Sequence, residues 1–300
     1  MRTVFFICPS STFASIRDKI RKDFSTLATP KKFGRFAKMK IIVCMKQVPA
    51  TTKVEIDEET GTLKRLGADA RTNPFDLFAL ECALRIREQC GGTVTVLTMG
   101  PQQAETMIRD AYMMGADDAV ILSDRKFAGS DVLATSYTLS QGIRLLGGAD
   151  LILCGRQTTD GDTAQIGPAI AEHLHLPHAA WVNAIEAVSA TSIRVRQDLA
   201  SEFQVSEMDF PCLITVDKDI CVPRLPSYRR KAAALDKPIR VVACADLPEP
   251  DLTRFGLVGS PTTVERVFPP PSGAGSVTLE GTPAEKTDRL FSLLAAAKYF

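Results

Sequence analysis

D-L-I-L-C-G-R-Q-T-T-D-G-D-T-A-Q-I-G-P-A-I-A-E, residues 150–172, changes character twice. It opens on a short apolar run, Leu151-Ile152-Leu153-Cys154, which reads as a buried strand. A polar loop follows, from Gly155 to Gln165, and a helical pattern starts near Pro168. Strand, glycine-bearing loop and helix, in that order, present free backbone N–H groups to an anion. Gly155 and Gly161 let the backbone turn and approach a ligand closely. Thr158, Thr159 and Thr163 bring hydroxyls, Arg156 a fixed positive charge and Gln165 an amide. That inventory suits a phosphate or pyrophosphate. Asp160 and Asp162 do not bind phosphate directly; they hold the loop by accepting its own N–H groups, or they cap the helix. Chemistry alone leaves a second reading open, an ordinary polar connection, because the loop is neither a Walker loop nor a G-x-G-x-x-G.

Upstream, residues 40–46 are β-branched and apolar and read as a first buried strand. The polar residues 51–71 hold an alternating run at 53–57 and a turn at Thr60-Gly61, which predicts an edge hairpin. N-P-F-D then opens a helix, with Asn73 as N-cap, Pro74 at N1 and Asp76 at N3. Leu77, Leu80, Ala83, Leu84 and Ile86 give that helix a core face. Residues 93–98 form a second strand, and Gly100-Pro101 starts a helix that runs to Met114. Residues 119–122 make a third strand, and Ser130-Asp131 caps a helix to Leu145. Four alternations of β and α with short connections call for a Rossmann-like α/β fold: a doubly wound, mostly parallel sheet with helices on both faces. Ligands in such sheets bind beyond the C-terminal strand ends. Residues 44–46, Met99 and Gly155 all lie at such ends, so they converge on one pocket.

Downstream, residues 181–185, 192–196, 203–205 and 212–216 read as a meander that extends the sheet. Residues 224–237 are basic, and 239–243 form a last strand. The proline-rich residues 247–283 show little periodicity and read as an arm. Thr282-Pro283-Ala284-Glu285 is a capping box that starts a final amphipathic helix through Leu290, Leu293 and Leu294. Residues 1–38 carry nine basic residues against two acidic ones, Asp18 and Asp23. They read as an extension outside a fold that begins at Met39, with a transit peptide as the other reading. The expected division is an extension over 1–38, an α/β domain over 39–245 and an arm over 246–300.

The chain has 300 residues, 45% hydrophobic and 24% charged, with net charge +1. The near-neutral balance argues against nucleic acid as main partner, and no apolar run reaches the ~18 residues of a membrane span. Eight cysteines without a C-x-x-C pair read as reduced, buried thiols in a cytoplasm-like compartment. His173, His175 and His178 cluster, but no cysteine or carboxylate spacing completes a metal site, and they read as helix-end residues. No hydrolytic triad and no catalytic base proposes itself, which suits a chain whose chemistry belongs to a bound cofactor. The first strand is not followed by G-x-G-x-x-G, which weighs against a nicotinamide dehydrogenase.

C-G-R-Q-T-T-D-G-D-T-A-Q-I-G-P resembles the nucleotide loop of the beta subunit of electron transfer flavoprotein, above all in its bacterial forms. I-V-C-M-K-Q-V-P at 42–49, N-P-F-D at 73–76, M-G-P at 99–101 with M-G-A-D at 114–117, and L-P-S-Y at 225–228 match the same family in the same order. The resemblance runs from about residue 39 to the C-terminus. It implies that Cys44, Asn73, Pro74, Phe75, Asp76 and Met99 surround a nucleotide, with Cys44 and Met99 as apolar walls against adenine. It implies that the phosphate lies on Gly155, Arg156, Gln157, Thr158, Thr159, Asp160, Gly161, Asp162, Thr163, Ala164, Gln165 and Ile166. Leu225 and Pro226 match the family's loop for docking a partner dehydrogenase; the plain alternative for Leu225 is a core leucine. The family's mitochondrial branch holds AMP here, and its electron-bifurcating bacterial branch holds FAD, reduced by NADH. The loop resembles the second, with Gly161 where the mitochondrial loop carries a further acidic residue. The expected cofactor is therefore FAD, with AMP the alternative. The expected partners are the family's alpha subunit, gripped by the C-terminal arm, and an acyl-CoA dehydrogenase. The expected location is cytoplasmic, or the mitochondrial matrix if residues 1–38 are a transit peptide. The alternative function is a stand-alone adenine-nucleotide-binding regulator of universal-stress type, a compact fold with no use for such an arm.

Overall fold

A computed structural model of the chain describes residues 2–6, 38–50, 70–218, 220–265 and 277–299. Five strands carry the centre: β2 (Met39–Cys44), β5 (Gly92–Met99), β6 (Asp118–Leu122), β7 (Leu151–Gly155) and β11 (Cys212–Val216). Their residues are apolar at consecutive positions, the pattern of strands covered on both faces. Successive side chains point to opposite faces. Ile41 and Val43 of β2 therefore enter one core with Val94, Val96, Leu151, Leu153 and Ile214. Ile42 and Cys44 enter the other with Leu97, Ile152, Cys154 and Leu213. Each fully buried Ile or Leu stabilises the fold by roughly 1.5–3 kcal/mol.

Helices α1 (Pro74–Cys90) and α2 (Glu105–Met114) cover the first face, through Leu80, Leu84, Met107 and Ile108. Helices α3 (Val132–Leu145) and α4 (Ile166–Leu174) cover the second, through Leu139, Ile143 and Ile170. As the sequence predicts, Asp131 caps α3, its carboxylate accepting from the Ala134 N–H at 3.1 Å. His173 lies in the last turn of α4 and His175 forms its left-handed C-cap, at φ 55°.

The large sheet has ten strands in the order β1-β10-β9-β8-β11-β7-β2-β5-β6-β12. Here β1 is Arg2–Phe6, β8 His178–Val188, β9 Ser192–Asp198, β10 Phe203–Asp209 and β12 Arg240–Val242. This is the doubly wound α/β fold, parallel from β11 to β12. Two departures from the expected strand layout have a clear physical cause. Strands β8, β9 and β10 do form an antiparallel meander, but β11 leaves it and inserts between β7 and β8, parallel to both. C-L-I-T-V is buried at every position, so it is stable only where both faces are covered. Strand β1 pairs with β10 from Arg2↔Glu207 to Phe6↔Phe203, so part of the segment expected outside the fold adds an edge strand. An antiparallel edge offers a row of open N–H and C=O groups to any β-prone segment, and R-T-V-F-F is one.

A separate two-stranded sheet pairs β3 (Gln47–Pro49) with β4 (Ala70–Thr72). The hairpin expected at 53–61 lies outside the described residues. The chain divides into two units, 1–54 with 65–264, and 55–64 with 265–300. Leu247 and Phe255 are buried in the second core, Phe255 with its ring 5.2 Å from that of Tyr137. Residues 246–264 thus pack on the α/β unit, and the separate C-terminal segment begins later than the proline content suggests. A short helix, α5, spans Lys231–Asp236 in the first unit. Within the second unit, α6 (Pro283–Ala296) carries the predicted capping box: Thr282 N–H donates to Glu285 at 2.8 Å, and Glu285 N–H to Thr282 Oγ1 at 3.4 Å. Among the described residues no helix is long and apolar enough to cross a membrane.

Candidate functional site

From β2 the chain builds outward on one side, to β5 and then β6, and after β6 it crosses back to β7 on the other side of β2, where β11 and β8 follow. Such a reversal opens a crevice between the two central strands at their C-terminal ends. A cleft of about 590 Å³ lies there. Cys44 and Met99, the last residues of β2 and β5, supply apolar wall, as expected from the sequence. Cys154, beside Cys44 in register, continues it. Its thiol bonds to Cys44 and is buried, which together push it well up, so it stays a neutral wall. Gly155, Arg156, Gln157, Thr158, Thr163, Ala164, Gln165 and Ile166 line it as well. Helix α4 begins at Ile166, and because Pro168 has no N–H and the Ala169 N–H donates to Gln165 O at 3.0 Å, the Ile166 and Gly167 N–H groups are the ones without intrahelical partners, open to an anion bound before the helix.

Other predicted residues serve the cleft from behind. Asn73 stands at the N-cap of α1, as expected, but it is fully buried and its side chain makes no capping bond. Its amide instead holds the loop, Nδ2 donating to Gln157 O at 2.9 Å and Oδ1 accepting from Thr159 N–H at 3.2 Å. Proline at N1 already fits the helix start, which frees the asparagine for a partner 84 residues away. Phe75 lies against Gly155, leaving no space there for a β-carbon. Asp76 reaches the cleft floor, and its Oδ2 accepts the Lys46 N–H at 2.7 Å. Burial pushes its pKa up to about 7, against the pull of the Lys46 N–H and the Asn73 amide.

The outer rim of the loop is structural. Thr159, Asp160, Gly161 and Asp162 do not line the cleft. Asp160 accepts from Gly161 N–H at 2.8 Å and pairs with the Lys46 ammonium at 2.7 Å. Burial works against the Asp160 carboxylate, but Lys46, Thr158 and the Gly161 N–H outweigh it and hold it below its ordinary value. Asp162 accepts from the Gln157 amide, so both acids hold the loop and neither caps α4. Positive φ falls on Asp162 at 51° and Ala164 at 55°, rather than on the glycines to which the sequence assigns the turning. Gly161 has only Thr158 Oγ1, at 3.5 Å, near its missing β-carbon.

Arg156 is not a free cation. Its Nη1 donates to Asp217 at 2.8 Å, and its guanidinium carbon stands 4.3 Å from the Trp181 ring centroid. Its Nε is buried without a hydrogen-bond partner in the protein. A buried N–H of this kind is costly unless something accepts from it, which fits an anionic group at the cleft. Asp217 and Trp181 escape a reading by motif, whereas Lys46 lies inside I-V-C-M-K-Q-V-P. Asp217 and Trp181 meet Arg156 only because β11 lies beside β7 and β8 beside β11. Lys46, at the strand end, carried the one sequence signal.

Leu225 and Pro226 lie away from the cleft, on the exposed connection after β11. Leu225 is 86% exposed, which rules out the core-leucine alternative. Its loop is stapled to α1. Arg224 donates to Glu81 at 2.8 Å and to Glu88 at 2.5 Å, and Arg85 to Val222 O at 3.2 Å. Burial works against the Glu81 carboxylate, but the two guanidinium groups outweigh it. An apolar side chain is thereby held out in solvent by charge pairs at its base.

The electron transfer flavoprotein domain family matches residues 60–247. The chain is 43% identical over 228 residues to the electron transfer flavoprotein subunit beta of Clostridium acetobutylicum, covering 76% of this chain and 87% of that one. It is 42% identical over 263 residues to the acryloyl-CoA reductase electron transfer subunit gamma of Anaerotignum propionicum, covering 85% and 98%. It is 43% identical over 248 residues to the caffeyl-CoA reductase-Etf complex subunit CarD of Acetobacterium woodii, covering 81% and 93%. With the cleft and the ordered motifs, these matches establish that the chain belongs to the electron transfer flavoprotein beta-subunit family, whose function is electron transfer.

Proposed function

We propose that the chain pairs with an alpha subunit and holds FAD in the cleft at the ends of β2, β5 and β7. NADH is the proposed donor and an acyl-CoA dehydrogenase the proposed acceptor. The observation that carries this is the cleft itself, lined both by apolar side chains at the strand ends and by the start of α4. Cys44 and Met99 would flank the adenine. Thr158, Thr163, Gln165 and the first turn of α4 would hold phosphate, with Arg156 kept beside them by Asp217. Asn73 and Asp160 would keep the loop in place. Bound FAD supplies one- and two-electron redox chemistry, and the protein sets its position and surroundings. Two relatives named for CoA-ester reductases, at 42% and 43% identity, support a CoA-linked acceptor and the bifurcating branch. The C-terminal segment with α6 is the proposed grip on the alpha subunit; Leu290 and Leu293 are about half exposed within this chain.

Flavin stoichiometry tests the cofactor. The purified heterodimer, reconstituted with excess FAD, should contain two flavins, one of them reduced by NADH. One flavin together with tightly held AMP would overturn the assignment.

Docking is tested at Leu225. Truncating an exposed side chain changes stability by about 0.5 kcal/mol or less, whereas losing an interface anchor costs about 2 kcal/mol. Leu225→Ala should thus slow electron delivery at limiting acceptor by roughly tenfold or more, with bound nucleotide unchanged. Unaltered delivery would remove Leu225 from the interface.

A further inference from the structure

Beneath the loop that carries Leu225, two thiols face one another. Cys82, on α1, and Cys221, four residues before Leu225, have their sulfurs 3.7 Å apart across 139 residues of sequence. Both are free thiols, Cys82 buried and Cys221 half-buried. We propose that Cys82 and Cys221 are an oxidisable pair, closed by a peroxide into a disulfide that ties residues 220–226 covalently to α1.

Closing the sulfurs to about 2.05 Å requires only a small approach, and the two backbones differ in their freedom to make it. Cys82 sits in a packed helix, whereas Cys221 belongs to an irregular segment whose Val222 and Leu225 are exposed. The other facing pair, Cys44 and Cys154, lies on neighbouring parallel strands, where ladder hydrogen bonds hold both backbones. Among the described cysteines, Cys221 alone has its thiol held below the ordinary value: the hydrogen bond from Cys82, helped by the Arg85 charge, outweighs the burial that works against it. Burial raises Cys90, Cys212 and Cys244 instead. Cys221, the half-buried thiol on the freer segment, is the one a peroxide reaches and so the nucleophile, and the buried Cys82 is the resolving thiol. The Cys221 thiolate attacks one peroxide oxygen, the O–O bond breaks, and the leaving hydroxide takes a proton to become water. Cys82 then displaces the oxygen of the sulfenic acid, its own proton leaving with that oxygen as a second water. Two electrons pass from the thiols to the peroxide, and one S–S bond forms. Arg224, through its ion pair with Glu81, and Arg85, through its hydrogen bond to Val222 O, already clamp this loop to α1 reversibly, and the disulfide would make the clamp covalent.

The pair's chemistry is independent of what Leu225 touches; only its consequence for electron delivery rests on the docking proposal. The test uses the purified complex with its partner subunit, treated with stoichiometric hydrogen peroxide, alkylated and mapped by peptide mass. A peptide linked through Cys82 and Cys221, released by dithiothreitol, is expected. Cys82→Ser should instead leave a Cys221 sulfenic acid that dimedone traps. Amide exchange over 220–226 should slow by about tenfold on oxidation, as local opening is suppressed. No linked peptide, or a linked peptide with unchanged exchange, overturns the proposal. Neither readout involves the dehydrogenase, so a failure here and a failure of the docking assignment are separable.

Discussion

Gly155→Ala is expected to abolish nucleotide retention and to lower Tm by about 5–10 °C. Gly155 ends β7 where α1 begins, and its φ is not in the left-handed region, so the demand on it is steric. A β-carbon there would stand 2.7 Å from the Phe75 carbonyl carbon and 2.8 Å from Phe75 Cβ, and closer still to Asp76 Oδ1. A flexible side chain could yield, but the backbone at the start of a 17-residue helix cannot move alone. Overpacking of this kind costs typically about 1–3 kcal/mol, and backbone obstacles place this site at the upper end. A domain of this size loses about 2–4 °C of Tm per kcal/mol. Displacing 73–76 also shifts Asn73, and with it both hydrogen bonds that hold the loop. The comparison is Gly161→Ala, where the nearest atom is 3.5 Å away and little change is expected. Calorimetry with assay of released nucleotide decides. Gly155→Ala with normal nucleotide content and a Tm within a degree of the parent would refute the close packing of β7 on α1.

A second large effect concerns Asp76 and pH. Its folded pKa of about 7 lies above the ordinary 3.8 because burial penalises the charged carboxylate. The folded chain therefore binds this proton more tightly than the unfolded chain. The resulting stability is fully present below pH 3.8 and is lost as pH rises toward 7. Between roughly pH 5 and 7 the parent should lose about 1 kcal/mol per pH unit from this group, and about 4 kcal/mol across its whole range as an upper bound. Asp76→Asn keeps an oxygen for the Lys46 N–H but has nothing to ionise. Its denaturation midpoint should therefore fall less steeply over that interval, and it should be the more stable of the two at pH 8. Parallel slopes in urea titrations at pH 5, 6, 7 and 8 would show that Asp76 does not carry this dependence.

Much of the fold was legible in order. Parallel strands buried on both faces must be apolar at consecutive positions, so I-I-V-C, V-L-T-M and L-I-L-C identify themselves. Glycine pairs and Ser130-Asp131 mark helix ends by local chemistry, and the ends of three strands already point to the cleft. The same rule, applied strictly to C-L-I-T-V, would have put β11 at the centre rather than in the meander. Asn73 shows the opposite limit. Asparagine before proline is a sound local N-cap, yet its amide went to Gln157 and Thr159, a choice invisible within the dipeptide.

By itself the sequence determined the doubly wound class, the place of the cleft, most of its wall and, through the ordered motifs, the family. These follow from hydrophobic period and from chemistry that is local in the chain. Only the tertiary structure decided that Arg156 is held by Asp217 under Trp181, that Gly155 is required for space rather than for turning, and that Asp76 is buried enough to titrate near neutrality. It also decided that Leu225 stands in solvent and that Cys82 meets Cys221. Each of these depends on side chains brought together from separate elements, and burial, which sets the energy of a charge or a thiol, is a property of the packed assembly rather than of any residue in it.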